Sequence, residues 1–164
     1  MPKISRLAFI GFGNTAESML NLGLNRPDRV ITAFDPSALE SKTCKAQLER
    51  FIVCGVQGCF SVSDAVNSAH LVLVSDGNVD LTPWVSELEQ HIKPGQIVAD
   101  LRAPSEQKKQ LKNGVENVKG IYIEGVLSQE DNALAIDSHQ ISMFKDIFKS
   151  LEFFPSNMVL SQSN

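Results

Sequence analysis

Arg6-Leu-Ala-Phe-Ile-Gly-Phe-Gly-Asn-Thr-Ala-Glu-Ser-Met-Leu20 is the stretch that decides the fold. Leu7 to Ile10 form an uninterrupted apolar run, and Gly11-x-Gly13-x-x-Ala16 follows at once. Ala16, Met19, Leu20, Gly23 and Leu24 then recur at the spacing of one helical face. A strand that turns abruptly into a helix needs backbone freedom at Gly11 and no side chain at Gly13, where a diphosphate approaches. Ala16 is small enough to let helix and strand pack closely. The first helical N–H groups, around Asn14 to Glu17, lack intrahelical acceptors and carry the positive end of the helix dipole, which favours an anion. The pattern predicts a dinucleotide-binding βα turn made by Gly11, Phe12, Gly13, Asn14, Thr15 and Ala16.

A second strand, Arg29 to Phe34, ends at Asp35, where a carboxylate can accept hydrogen bonds from an adenosine ribose. Such a carboxylate bonds a free 2′-hydroxyl and repels a 2′-phosphate, so NAD is expected over NADP. Lys42 and Lys45 follow it and are the residues that would neutralise a phosphate. Two other readings stay open. In one, the glycines belong to a different α/β protein and Asp35 merely caps a helix. The other is a methyltransferase loop, which an acidic residue usually precedes, whereas Phe9 and Ile10 precede Gly11 here.

With 164 residues, 43% of them apolar, the chain can bury one core and is too short for a two-domain dehydrogenase, so residues 1–164 are read as a single domain. A formal charge of −4, with no Lys/Arg cluster to offset it, argues against nucleic acid or an anionic membrane as partner. Lys108, Lys109 and Lys112 form the densest basic group and read as a solvated helix face. No apolar run approaches the ~18 residues of a membrane span, and no secretory pattern opens the chain, so a cytoplasmic protein is expected. Cys44, Cys54 and Cys59 lack metal-ligand spacing and read as reduced thiols in or near the core. His70, His91 and His139 are scattered, and His91 falls at the end of a helical pattern, where the dipole favours it.

Further along, Ser37 to Arg50 is helix-compatible and Phe51 to Cys54 reads as a short third strand before Gly55. Ser61-x-x-Asp64 reads as a capping box, and Leu71 to Val74 as a strand buried on both faces. That strand delivers Ser75, Asp76 and Asn78 to the carboxyl edge beside the first loop, where ligands bind in a doubly wound fold. Thr82 and Pro83 start a helix through Ile92, Gln96 to Leu101 is a fifth strand, and Pro104 opens a helix to about Asn113. Val118 to Glu124 is a sixth strand, Gln140 to Glu152 a helix, and Asn157 to Ser161 a last strand. This alternation gives an α/β, Rossmann-type doubly wound, mainly parallel sheet.

The order of motifs over roughly residues 5–130 resembles the NAD(P)-binding domain of the 6-phosphogluconate dehydrogenase and 3-hydroxyisobutyrate dehydrogenase superfamily. Ser63-Asp-Ala-Val-Asn-Ser-Ala69 and Lys93-Pro-Gly-Gln-Ile-Val-Ala-Asp100 carry most of it, while Gly11-Phe-Gly-Asn-Thr-Ala-Glu17 is similar to the first loop of pyrroline-5-carboxylate reductase. The resemblance implies a dinucleotide across this domain and hydride transfer on a small hydroxy acid. The substrate-side motifs differ. Asp-x-Ser-Thr of the hydroxyacid dehydrogenases is Asp100-Leu-Arg-Ala103 here, and Asp-Ala-Pro-Val-Ser-Gly-Gly is Glu124-Gly-Val-Leu-Ser-Gln-Glu130, which keeps only Ser128. The hairpin segment that follows in the family reads as shortened around Asp131 to Asp137. Against the resemblance, a counterpart of the family's helical domain, with its catalytic lysine and dimer interface, is not expected within these 164 residues, nor is Lys145 or Lys149 expected to take that lysine's place.

Three functions are compatible with these residues: the cofactor half of a dehydrogenase completed by another chain, a diverged nucleotide-binding regulatory module, and a self-associating scaffold. Arg102, at the end of the fifth strand, is the candidate for a substrate carboxylate or a cofactor phosphate, with Ser128 beside it. The competing reading pairs Arg102 with Asp76 or Glu106. Apolar Phe153-Phe-Pro-Ser-Asn-Met158 reads as either core or a docking face, and as a docking face it implies a homodimer or partner chain.

Overall fold

Because the Leu7–Ile10 run has no polar position, it has no solvent face to offer, and strand β1 (Arg6–Ile10) lies buried between two parallel neighbours, β2 (Val30–Phe34) and β4 (Leu71–Val74). The computed structural model describes residues 4–75, 81–102, 106–128, 133–136, 141–151 and 159–162. Within them the sheet has the order β3-β2-β1-β4-β5-β6-β7-β8, with β3 (Gln57–Gly58), β5 (Ile97–Asp100), β6 (Ile121–Ser128), β7 (Ala133–Ile136) and β8 (Val159–Gln162). Strands β1 to β6 are mutually parallel, β7 is antiparallel to β6, and β8 is parallel to β7. The order reverses between β1 and β4, which makes that crevice the topological switch point.

Side chains alternate across the strands and feed two cores. Leu7, Phe9, Leu71, Leu73 and Ile123 join the cluster on one face with α1 (Asn14–Met19), α2 (Cys44–Cys54) and α6 (Ile141–Ser150). Ala8, Ile10, Val72, Val74 and Val98 join the other with α3 (Val62–Val66), α4 (Thr82–His91) and α5 (Glu106–Asn117). Helix α1 continues as a π-helical stretch, Leu20–Leu24, broken at Gly23 with φ 113°. Buried Arg29 closes its end, donating to the carbonyl of Leu24 and to that of Leu151 after α6, so one guanidinium serves two helix C-termini.

Several expected elements are different in the structure. Phe51 to Cys54 is not a strand but the last turn of α2, which Gly55 ends in the left-handed conformation (φ 72°), with Val56 N–H returning to the Phe51 carbonyl. Of that apolar run Phe51 is buried and Cys54 half-buried against the core; Ile52 and Val53 are 76% and 85% exposed, and the edge strand β3 is only two residues long. Strand β7, paired with Gly125 to Ser128, is an element that the sequence reading does not include. Helix α5 continues past Asn113 to Asn117, and β6 starts at Ile121 and runs on to Ser128. Lys108 is not on a solvated face: it is 5% exposed and donates to the Gly125 carbonyl at 3.1 Å, while Lys109 stays outside with Glu106. Leu81, not Thr82, is the N-cap of α4, and the Thr82 hydroxyl instead accepts from Gln107 at 2.7 Å.

Ser61 caps α3, accepting from Asp64 N–H, and His91 ends α4, both as the sequence suggests. All three cysteines are free, Cys59 buried and Cys44 and Cys54 half-buried. Among the described residues no helix is long and apolar enough to cross a membrane, and no group of His, Cys, Asp or Glu is arranged to hold a metal.

Candidate functional site

At the switch point the loop after β1 is stitched to both neighbouring strands. Gly11 N–H donates to the Phe34 carbonyl of β2 at 2.8 Å, and the Ser75 hydroxyl at the end of β4 donates to the Gly11 carbonyl at 2.9 Å. Gly11 has φ 85°, and a Cβ there would lie 2.1 Å from the Ser75 carbonyl oxygen and 2.9 Å from the Leu81 side chain. The glycine is a steric requirement of the turn itself. Ser75 is fully buried and acts through this bond; Asp76 and Asn78 lie outside the described residues.

Gly13 is the N-cap of α1, and the first intrahelical bond runs from Glu17 N–H to the Gly13 carbonyl at 3.1 Å. The N–H groups of Asn14, Thr15 and Ala16 therefore precede the helical ladder at the carboxyl edge. Asn14 is exposed, and its side-chain carbonyl accepts from Arg50 of α2 at 2.9 Å; Thr15 and Ala16 are buried. The Phe12 ring faces the core, edge-on to Phe9 and Phe51 at 5.6 and 5.3 Å, so this residue meets the edge only through its backbone. Arg50 also pairs with Glu17, and its guanidinium holds that carboxyl below the usual value. Burial, followed by the charge of Glu17, pushes the Cys54 thiol up.

Asp35 lies where the sequence puts it, at the end of β2, but is 1% exposed. Its Oδ2 accepts Phe12 N–H at 2.8 Å, and its Oδ1 accepts Ser37 N–H at 2.9 Å and the Ser37 hydroxyl at 2.5 Å. It thus caps the 3-10 turn Pro36–Leu39 while gripping the glycine loop. Gln47 of α2 completes the arrangement: its Nε2 donates to the Phe12 carbonyl at 3.3 Å, and its Oε1 lies 3.0 Å from the Ser37 hydroxyl. A carboxylate offers about four acceptor positions, and three are occupied here.

On the other side of the switch point the register sets Asp100 of β5 beside Glu124 of β6. Arg102 folds back onto Asp100, its Nε and Nη2 donating to the two carboxylate oxygens at 2.9 and 2.8 Å. Arg102 is 5% exposed and Asp100 is fully buried. The paired reading of Arg102 is thus the one seen, with Asp100 as a partner; Asp76 lies outside the described residues. The Tyr122 hydroxyl lies 3.3 Å from Asp100 Oδ2 and 3.1 Å from Glu124 Oε2. Burial, with the two carboxylates behind it, pushes this phenol far up. Ser128 is placed by its backbone pairing with Ala133.

The loop, Asp35 and Ser75 thus come together at the switch point, whereas Arg102 belongs to a separate network with Asp100, Tyr122 and Glu124. Sequence reasoning missed Ser37, Gln47, Arg50 and Tyr122. Gln47 and Arg50, one helical turn apart in α2, carry the available signal, since two polar residues on the face of a helix that meets β1 and α1 need partners there.

No family model matches the sequence, and no curated protein matches it. Solved structures do. A conserved hypothetical protein from Sinorhizobium meliloti 1021 superposes with a TM-score of 0.71 at 18% identity, over 98% of this chain and 55% of that one. An imine reductase from Myxococcus stipitatus in complex with NADP+ gives 0.70 at 16%, over 96% and 55%. A reductive aminase from Aspergillus terreus, in complex with NADPH4, cyclohexanone and allyl amine, gives 0.66 at 13%, over 98% and 54%. The likeness defines the class, a Rossmann-type α/β domain. This chain spans about half the length of the solved proteins it matches.

Proposed function

We propose that this chain binds a nicotinamide dinucleotide and serves as the cofactor-binding portion of a reductase or dehydrogenase of the 6-phosphogluconate dehydrogenase type. The observation that carries the proposal is the geometry at the switch point: Gly11 held in a turn only glycine fits, followed by backbone N–H groups of Asn14 to Ala16 at a helix start. In this reading the pyrophosphate lies over Gly11 to Ala16, the adenosine over the end of β2 at Asp35, and the nicotinamide toward Ser75, Asp76 and Asn78. The backbone contributes dipoles and fixed donors, and the cofactor contributes the hydride.

The structural neighbours support a nicotinamide cofactor, since one solved imine reductase holds NADP+ and a variant of it holds NAD+. The same neighbours add imines to small hydroxy acids as candidate substrates. Substrate capture requires groups beyond those assembled here. With Arg102 neutralised by Asp100, the proton donor and the substrate wall come from another domain or chain. That pairing also favours the second reading, a nucleotide-binding regulatory module without catalysis of its own. Self-association of the chain is part of the proposal, and either nicotinamide dinucleotide fits it.

Calorimetric titration with NADH and, separately, NADPH tests it. Saturable binding of either supports the cofactor-domain reading; binding of neither overturns it. Sedimentation at high concentration tests self-association, and a strictly monomeric mass refutes it.

A further inference from the structure

The acceptor positions of Asp35 lead beyond a generic nucleotide site. This carboxylate is 1% exposed, and its partners all come from within the chain: Phe12 N–H from the glycine loop, Ser37 N–H and Ser37 hydroxyl from the turn after β2. A ribose receptor needs acceptor oxygens open to the ligand. Here Oδ1 already takes two donors, and Oδ2 is aimed at the loop backbone. What Asp35 does hold is the Phe12 peptide, with its N–H fixed by Oδ2 and its carbonyl held by Gln47 Nε2. The next residue is Gly13, the N-cap that aims the first turn of α1.

We infer that Asp35 is a positioning residue for the phosphate loop, braced by Ser37 and Gln47, and that the chain does not select NAD over NADP through it. The inference rests on the dinucleotide reading and makes its cofactor preference specific. A carboxylate turned inward, with its charge satisfied by N–H and O–H donors, neither grips a 2′-hydroxyl nor stands against a 2′-phosphate. Ser37 acts through Asp35, and Gln47 acts on the Phe12 carbonyl directly. The single Ser37 hydroxyl proton has two acceptors, Asp35 Oδ1 at 2.5 Å and Gln47 Oε1 at 3.0 Å, and the shorter, charged one takes it.

The experiment compares NADH and NADPH affinities of the full chain with those of Asp35→Asn, Ser37→Ala and Ser37→Thr, together with the hydrogen-exchange rate of the Phe12 amide, which needs no ligand. Wild type is expected to bind the two nucleotides within ~3-fold of each other, since the gap corresponds to less than one hydrogen bond. Asp35→Asn is expected to weaken both by the same factor, on the order of tenfold, and to speed Phe12 exchange. Ser37→Ala weakens both in parallel, and Ser37→Thr, which restores the hydroxyl, recovers them. The inference is overturned if Asp35→Asn weakens NADH alone, or if Ser37→Ala tightens NADH by releasing Oδ1, because either result makes Asp35 a ribose receptor. Unchanged Phe12 exchange in Asp35→Asn overturns it as well. Binding of neither nucleotide by wild type instead overturns the dinucleotide reading and the selectivity inference with it, while the exchange rate still shows whether Asp35 braces the loop.

Discussion

Replacing Gly11 with alanine isolates the tightest steric demand at the switch point, and Gly95 provides a matched control. Both glycines have φ 85°, but an added Cβ at Gly11 meets the Ser75 carbonyl oxygen at 2.1 Å, whereas at Gly95 it meets nothing within 4 Å. Gly95→Ala therefore costs only the left-handed strain of a residue with a Cβ, about 1–2 kcal/mol, less a few tenths returned by the stiffer unfolded chain. Gly11→Ala adds displacement of a backbone carbonyl in a filled site, about 1–3 kcal/mol more, for a total near 2–5 kcal/mol. For a domain this size, with a urea m-value of about 2 kcal/mol/M, the midpoint falls by roughly 1–2.5 M for Gly11→Ala and about 0.5 M for Gly95→Ala. Urea denaturation followed by the single tryptophan, Trp84, measures both. Equal midpoint shifts in the two variants would refute the argument, because they would mean that the Ser75 contact relaxes at no cost.

Arg102→Met leaves the fully buried Asp100 without its counter-charge and is expected to cost about 3–5 kcal/mol, most of it recovered in the Asp100→Asn, Arg102→Met double variant; an unchanged urea midpoint in the single variant would count against the pair. Tyr122 is the only tyrosine, and burial beside Asp100 and Glu124 raises its pKa, so the absorbance at 295 nm should stay flat until the protein unfolds in alkali; a phenolate titrating in the folded state near pH 10 contradicts that environment. Glu17 is held below its ordinary value of 4.5 by Arg50. A carboxyl depressed in the folded state adds stability above its unfolded-state pKa and loses it as pH falls through the folded value. Glu17→Gln should therefore cost up to ~1 kcal/mol at pH 7, the pair being partly exposed, and the difference from wild type should shrink as the pH drops below 4.5. A gap that stays constant from pH 7 to pH 3 would exclude the ion pair as its source.

Three central strands of the parallel sheet were legible because strands buried on both faces leave continuous apolar runs, and β1, β4 and β5 lie where those runs do. Phe51 to Cys54 misled for the same reason. Four apolar residues fit a buried strand or a helix end equally well, and the decision came from Gly55, whose left-handed conformation ends α2 one residue later. Strand β7 was hidden because Ala133 to Ile136 is a short run that takes its pairing from β6, a long-range contact with no local signature. At the site, sequence located Gly11, Asp35 and Arg102 at strand ends but not their orientation. Lys108 shows the limit plainly: three lysines on one helix read as a solvated face until the helix is rotated against β6, which turns one of them onto the Gly125 carbonyl.

Asp35 and Arg102, two of the charged residues that the sequence offers as ligand contacts, share a geometry that explains why both are internally bonded. Each stands at the end of a parallel strand, and each bond closes on a residue two positions away: Asp35 on Ser37, Arg102 on Asp100. A strand end in such a sheet lies under the loops that cross the carboxyl edge, so a charge there is desolvated before any ligand arrives and must find a partner within the chain. Recognition then falls to groups that secondary structure fixes in place ahead of its own hydrogen-bond ladder, chiefly the backbone N–H groups at the start of α1. Backbone donors read phosphate rather than the rest of a nucleotide. Affinity in this domain should therefore follow the geometry of Gly11 to Ala16 more closely than the charge at position 35, and parallel losses of NADH and NADPH in Asp35→Asn are the form that dependence takes.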